Sequence, residues 1–323
     1  MRVPAVPAML ISLLAAPLLY ADIDPLLTLD RMAQSSRTLA YSGTFTYQQG
    51  QQLSSMRIVH AVVDGKENER VLHLDGDQRE ILRHDHDLNC VHIGNRILRL
   101  GSDTSGIDQA ASTARPLGLA AYYAVVHEGQ ERIAGRTGSR LRLSPRDPYR
   151  YGMTLVVDDA TALLLKSETN DEAGRVLERF QFVDVHIGAV DAAELAAESP
   201  NPRILNAHAD VQPTADAASV GFGWSVSWLP EGFALAASES RAGDARGTPV
   251  EMQQFTDGLA VFSVFVEPDD TAATTRAGHA SQGATVAYIT ARGERHIVTV
   301  VGEIPIATAQ LVANAVNFPP ADL

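Results

Sequence analysis

The nine residues HDHDLNCVH, from His84 to His92, hold three histidines, two aspartates and Cys90, the only cysteine of the chain. Imidazole, thiolate and carboxylate are the side chains that ligate zinc or copper, so this stretch is a candidate for metal chemistry. Its spacing argues against that reading. A structural zinc site draws a second ligand pair from elsewhere in the chain, and none stands at such a spacing. Histidine and aspartate also suit a polar turn, and HDHD falls where a hairpin turn is due, with LNCVHI reading as the strand after it. Cys90 then packs as a small apolar group, and the expectation is a chain with no metal and no other cofactor.

Catalytic chemistry finds no better footing. No G-x-S-x-G elbow, P-loop, G-x-G-x-x-G or H-E-x-x-H occurs, and the nearest miss, His127-Glu128, has Glu131 where the second histidine belongs. His60 and His73 lie inside alternating runs. No catalytic residue is assigned, and the expectation is a protein that is not an enzyme.

Two patterns could still bind something. From Arg132 to Arg150, RIAGRTGSRLRLSPRDPYR carries Arg132, Arg136, Arg140, Arg142, Arg146 and Arg150 against Asp147. Such a run is either a solvated strand-and-loop face or a site for an anionic head group or an acidic peptide. The other pattern is apolar: Tyr41, Phe45, Tyr47, Met56, Ile58, Val71 and Leu82 recur at strand spacing. They are core beneath a helix, or they line an open cavity. A groove that took up an acyl chain would gain about 0.8 kcal/mol per buried CH₂, so about ten carbons could offset the cost of association.

The elements that must position these residues follow from periodicity. Asp24 can cap a helix with Pro25 at its first position, and Leu26, Leu29, Met32 and Ala33 recur at helical spacing. From Thr38 the period becomes two, through LAYSGTFTYQQ, LSSMRIVHAVV, ENERVLHL and QREILRH, with Asp64-Gly65 and Asp75-Gly76 as hairpin turns. PLGLAAYYAVVHEG suits a short helix after a polar insertion. Strands resume through SRLRLSP, YGMTLVVDD, ALLLKSETND and RVLERFQFVDVHI. A long antiparallel sheet with a helix against one face makes an open, curved α+β half-barrel. Between Asp191 and Ser219 the chain is alanine-rich and polar, with Pro200, Pro202 and Pro213, as expected of a linker between units that fold separately. A second, smaller antiparallel sheet begins near Val220 and closes with the helix ATAQLVANAV, whose Leu311, Val312 and Ala315 are expected to face the sheet. The expected division is a leader over 1–21, a first domain over 22–200, a linker over 201–219 and a second domain over 220–323.

The leader rests on MRVPAVPAMLISLLAAPLLYAD: basic Arg2, an apolar run from Met9 to Tyr20, then small residues, the order of a secretory signal peptide cleaved after Ala21. A membrane span needs about 20 apolar residues, and this run is shorter and interrupted by Pro17. Losing Arg2 with the leader takes the formal charge from -13 to -14. So acidic a chain makes nucleic acid an unsuitable partner.

Several spaced blocks carry a family resemblance. YSGTFTYQQGQQLSSMRIVHA, LHLDGDQREILR, YGMTLVVDDATALLLKSE and ERFQFVDVHIG resemble the first domain of the MucB/RseB family. WLPEGF, TDGLAVFSVFVE and VVGEIPIATAQLVANAV resemble its smaller second domain, in the same order. The resemblance covers nearly all of the mature chain. It implies a first domain shaped like the carriers LolA and LolB, with a lipid-binding cavity, and a second domain that contributes most to partner binding. It further implies a periplasmic regulator of an envelope-stress sigma factor. The implied partner is the periplasmic part of a single-pass anti-sigma factor, shielded from the site-1 protease until lipopolysaccharide or another lipid releases it. Self-association is left open. The reading from another class is a periplasmic lipid or lipoprotein carrier, and a metal-dependent hydrolase stands third.

Overall fold

A computed structural model describes residues 23–77, 79–84, 91–93, 96–98, 117–200, 202–206, 222–241, 250–268, 276–293 and 295–318. The expected leader, residues 85–90 of the histidine-rich stretch with Cys90 among them, and most of the expected linker lie outside these.

Helix α1 (Pro25–Thr38) begins at Asp24, whose carboxylate accepts from the Leu26 and Leu27 N–H groups. Leu29, Met32 and Ala33 fall on its buried side. The chain then becomes a meander of β1 (Tyr41–Gln49), β2 (Gln52–Val63), β3 (Lys66–His73) and β4 (Glu80–His84). Asp64 and Gly65 both take positive φ, 53° and 77°, which joins β2 to β3 by the turn that Asp-Gly favours. A separate small hairpin pairs β5 (Val91–Ile93) with β6 (Arg96–Leu98).

Helix α2 (Leu117–Tyr122) is shorter than its apolar run suggested, because from Tyr123 onward the residues that looked helical form β7 (Tyr123–Ile133). His127-Glu128 therefore lies in a strand, where the ladder shifts register between His127 and Gln130. A second meander follows: β8 (Arg136–Pro145), β9 (Gly152–Asp158), β10 (Leu164–Asn170) and β11 (Val176–Ile187). Strand β11 pairs antiparallel with β1, which fuses the two meanders into one sheet. After a 3-10 turn at Ala192–Leu195, β12 (Arg203–Asn206) joins that sheet parallel to β4. Residues 203–206, expected in the linker, thus belong to the first unit. The ten strands run β12-β4-β3-β2-β1-β11-β10-β9-β8-β7. Helix α1 packs against both β2 and β7, from opposite halves of that order, so the sheet curls around the helix. This is the half-barrel expected from the sequence.

The second unit pairs a short β13 (Ser225–Val226) with the final β20 (Val316–Asn317). Its main sheet contains β14 (Ala234–Arg241), β15 (Val250–Thr256), β16 (Val261–Pro268), β17 (Gly278–Gln282), β18 (Thr285–Arg292) and β19 (His296–Gly302), in the order β14-β15-β16-β19-β18-β17. Helix α3 (Ile306–Asn314) packs on β18 and β19, with Ala309, Val312 and Ala313 in the core of this unit. Leu311, expected to face the sheet, is 46% exposed. The small residues Ala309 and Ala313 lie nearest the strands, and the α-helical period carries Leu311 away from them.

Candidate functional site

Tyr41, Phe45 and Tyr47 alternate along β1 on the face that meets α1, and all three are buried. The ladder sets Met56 opposite Phe45 and Ile58 opposite Gly43, and places Val71 beside Ile58. Phe180 and Phe182 complete the face from β11, with the Phe45 and Phe180 rings 4.9 Å apart between centroids. Six of the seven residues expected on this face therefore belong to one apolar cluster. Leu82 does not. It pairs with Arg70, whereas Ile81 pairs with Val71 and packs on the cluster. Two adjacent aliphatic residues satisfy alternation in either phase, and the register chose Ile81 for the inner face.

The six arginines do not gather into one site. Arg136 forks onto Asp158, with Nε and Nη2 each 2.8 Å from a carboxylate oxygen. Arg140 meets Glu128 at 3.1 Å and Glu131 at 2.7 Å, and Arg142 also pairs with Glu128. Lys166 reaches Glu131 at 3.0 Å and Glu168 at 3.2 Å, and Glu168 reaches Arg179 at 2.7 Å, so acidic residues of β7 and β10 answer the charge along β8. Arg132 and Arg146 are exposed, and Arg146 donates to the Ala120 carbonyl.

Arg150 is the residue that departs most from expectation. Its side chain and that of Asp257 are both fully enclosed, with Nη1 2.7 Å from Asp257 Oδ2. It also donates to Asp147 at 3.1 Å and to the Glu231 carbonyl at 2.6 Å. The rings of Tyr122, Tyr123 and Phe233 lie 5.0–5.6 Å from the guanidinium carbon. A cation so enclosed and so fully partnered cannot receive a head group. It joins the two units instead.

Around that pair the junction is dense. Tyr123 donates its hydroxyl to Asp257 at 3.1 Å, and its own ionisation is pushed well upward, first by burial and then by the Asp257 charge. Leu259, two residues beyond Asp257, inserts into the apolar cluster of the first unit. Gly232, at φ +88°, lies flat against the Tyr122 ring, where any Cβ would overlap it. Thr308 donates to the Tyr149 carbonyl at 3.1 Å, and the Tyr149 and Trp228 rings meet edge to face.

A second contact lies at the β1–β2 turn. Buried Glu178 accepts from the Tyr47 hydroxyl at 3.0 Å, from Gln49 Nε2 at 3.3 Å and from the Ala284 N–H of the second unit at 2.9 Å. Gln282 donates to Gln52 at 2.7 Å, and Gly283, at φ +60°, leaves no room for a Cβ against Gln49 and Glu178. The two units are thus docked at two places, rather than tethered by a linker alone. Sequence reading passed over Asp257 and Glu178, since one reads as a turn residue and the other as an ordinary strand position.

Of the histidine-rich stretch, His84 ends β4 opposite Asn68, and His92 lies in β5 opposite Ile97. Among the described residues no helix is long and apolar enough to cross a membrane.

Residues 24–204 match the MucB/RseB N-terminal domain family, and residues 218–317 match the MucB/RseB C-terminal domain family. The chain is 35% identical over 324 residues to the sigma factor AlgU regulatory protein MucB of Pseudomonas aeruginosa, covering 98% of both chains. It is 27% identical over 298 residues to the sigma-E factor regulatory protein RseB of Escherichia coli, covering 90% of this chain and 89% of that one. Among solved structures it is similar to the Pseudomonas aeruginosa MucA/MucB complex, at 33% identity and a TM-score of 0.72, covering 93% of this chain and all of that chain.

Proposed function

The chain belongs to the MucB/RseB family, and from that premise we propose that it is a periplasmic regulator that holds the periplasmic part of a membrane anti-sigma factor and shields it from site-1 proteolysis. The observation that carries this reading is the match of both domains in order, together with the solved complex of a 33% identical relative with MucA. The division proposed is a leader cleaved near Ala21, a first domain over 22–200 and a second over 220–323, the first extended to β12. Lipopolysaccharide or another lipid is the proposed release signal. Its acyl chain would enter along Tyr41, Phe45, Tyr47, Met56, Ile58 and Val71, displacing packing that fills this face in the free protein. Arg132 and Arg146, exposed beyond the ion-paired arginines, are the candidates for its head group. No step of this role calls for catalysis.

A lipid or lipoprotein carrier is the competing reading, supported by the curled sheet around α1. It gives no use to the second unit, whose Asp257, Leu259 and Ala284 are built into the first. The experiment is calorimetry of the mature protein with the periplasmic segment of the anti-sigma factor, followed by digestion of that segment with the site-1 protease. Binding and slowed cleavage, both reversed by lipopolysaccharide, are expected. Lipid uptake without peptide binding would return the protein to the carrier class.

A further inference from the structure

Glu67 and Glu69 alternate along β3 and so share the inner face with Val71. Both are enclosed, at 5% and 7% exposure. Their compensation is unequal. Glu69 lies between His60 of β2 and Arg83 of β4, and Arg83 donates to its carboxylate. Glu67 lies opposite Val62, and its Oε1 has no hydrogen-bond partner among the described residues. From α1 only Arg37, in the last turn, acts on Glu67 through its charge. His60 sits with Nδ1 2.8 Å from the carbonyl of Leu39, the residue that ends α1, and stacks on Tyr41 of β1. Among the described residues, Glu69 and Arg37 act on Glu67 through their charge, Tyr41 feels both glutamates, and His60 and Arg83 flank Glu69.

Two carboxylates that share one buried face cannot both stay charged cheaply. Burial first, and then the Glu69 charge, push the Glu67 carboxyl up to about 7, with Arg37 opposing in part.

We propose that Glu67 is a proton-operated latch: neutral, it lets the C-terminal end of α1 lie closed over the β1–β4 inner face, and charged, it loosens that closure and opens the interior. The idea stands on this cluster and does not depend on the partner proposed above. The direction follows from linkage. An opened, hydrated Glu67 releases its proton near the ordinary carboxylate value, and the closed one holds it to about 7. Closure is therefore strongest below the ordinary value, weakens as the pH rises between the two, and is weakest once the pH has passed the upper one.

The test is amide hydrogen exchange of the mature protein across α1 and β3, corrected for intrinsic exchange, for native protein and Glu67→Gln. For native protein, opening is expected to rise at least tenfold from about pH 5 to about pH 7 and then level off. Glu67→Gln, isosteric and always neutral, is expected to stay as protected throughout as native protein is at the acid end. A native profile flat with pH, or a rise that persists in Glu67→Gln, would overturn the latch. A carbon-13 titration of the native Glu67 carboxyl is independent of the variant's folding. A midpoint near neutrality supports the proposal, and one in the ordinary carboxylate range refutes it.

Discussion

Asp158 closes β9 with its side chain nearly enclosed, and burial alone would push its carboxyl upward. The Arg136 fork and the Thr161 hydroxyl and N–H more than reverse this, leaving the carboxyl below its ordinary value. Folded Asp158 thus releases its proton at lower pH than the unfolded chain does. Its stabilisation is present above the ordinary carboxylate value and lost as the pH falls through the lower, folded one. Arg136→Gln is expected to cost about 1.5–3 kcal/mol at neutral pH and to flatten the acid limb of a stability profile, read from urea melts across that limb. Phe45, wholly buried against Phe180 and Phe182, is a packing residue in the free protein, so Phe45→Ala should cost about 3–5 kcal/mol in the same assay. Alternation made Phe45 legible from sequence, because a strand has only two faces. It misplaced Leu82, because Ile81 beside it fits either phase. The arginine run left two readings open for another reason: Glu128, Glu131 and Asp158, which answer its charge, come from other strands.

Among the elements, the segment after β11 behaves unlike its composition. Alanine and proline mark it as a linker, yet it is fastened to the face of the sheet opposite the core. Arg70 and Glu80 form a buried pair there, at 4% and 0% side-chain exposure. Glu80 also accepts the N–H groups of Glu198 and Ser199, and Arg70 donates to the Glu194 carbonyl and pairs with Glu198. Arg57 adds an exposed contact to Glu194. Three of these contacts reach backbone groups, which every residue carries, so no sequence pattern announces them. Removing one member of a buried pair strands the other, and Glu80→Ala is expected to cost about 3–5 kcal/mol. Limited proteolysis should then cut early between 190 and 203, where native protein resists. Unchanged resistance would mean that β12, not the buried pair, holds the segment down.

At the scale of the whole molecule, the two main sheets are docked at two places, and the larger contact is built around Arg150 and Asp257. A proline-bearing linker suggested separately folding units, and the two-domain layout was legible because each unit carries its own turns and alternation. The docking was not legible. Asp257 stands 107 residues from Arg150, and neither position shows in local pattern that its charge ends fully enclosed. A buried cation with its carboxylate removed is costly, so the pair couples the fate of the two cores. Leu259 adds to this, since it is a residue of the second unit packed in the core of the first. Native protein is therefore expected to melt in a single calorimetric transition. Asp257→Asn keeps the side-chain shape, removes the charge and leaves Arg150 with Asp147 alone as its ion partner. The expected cost is about 3–5 kcal/mol, with the single transition split into two as the units part before either unfolds. If Asp257→Asn melted in one transition at the native temperature, the junction would rest on Leu259, Gly232 and the Glu178 contact instead. Leu259→Ala would then be the variant to split the melt. Either result bears on regulation, because a partner that grips both units meets a surface whose geometry this junction sets in advance, which lowers the ordering cost of binding.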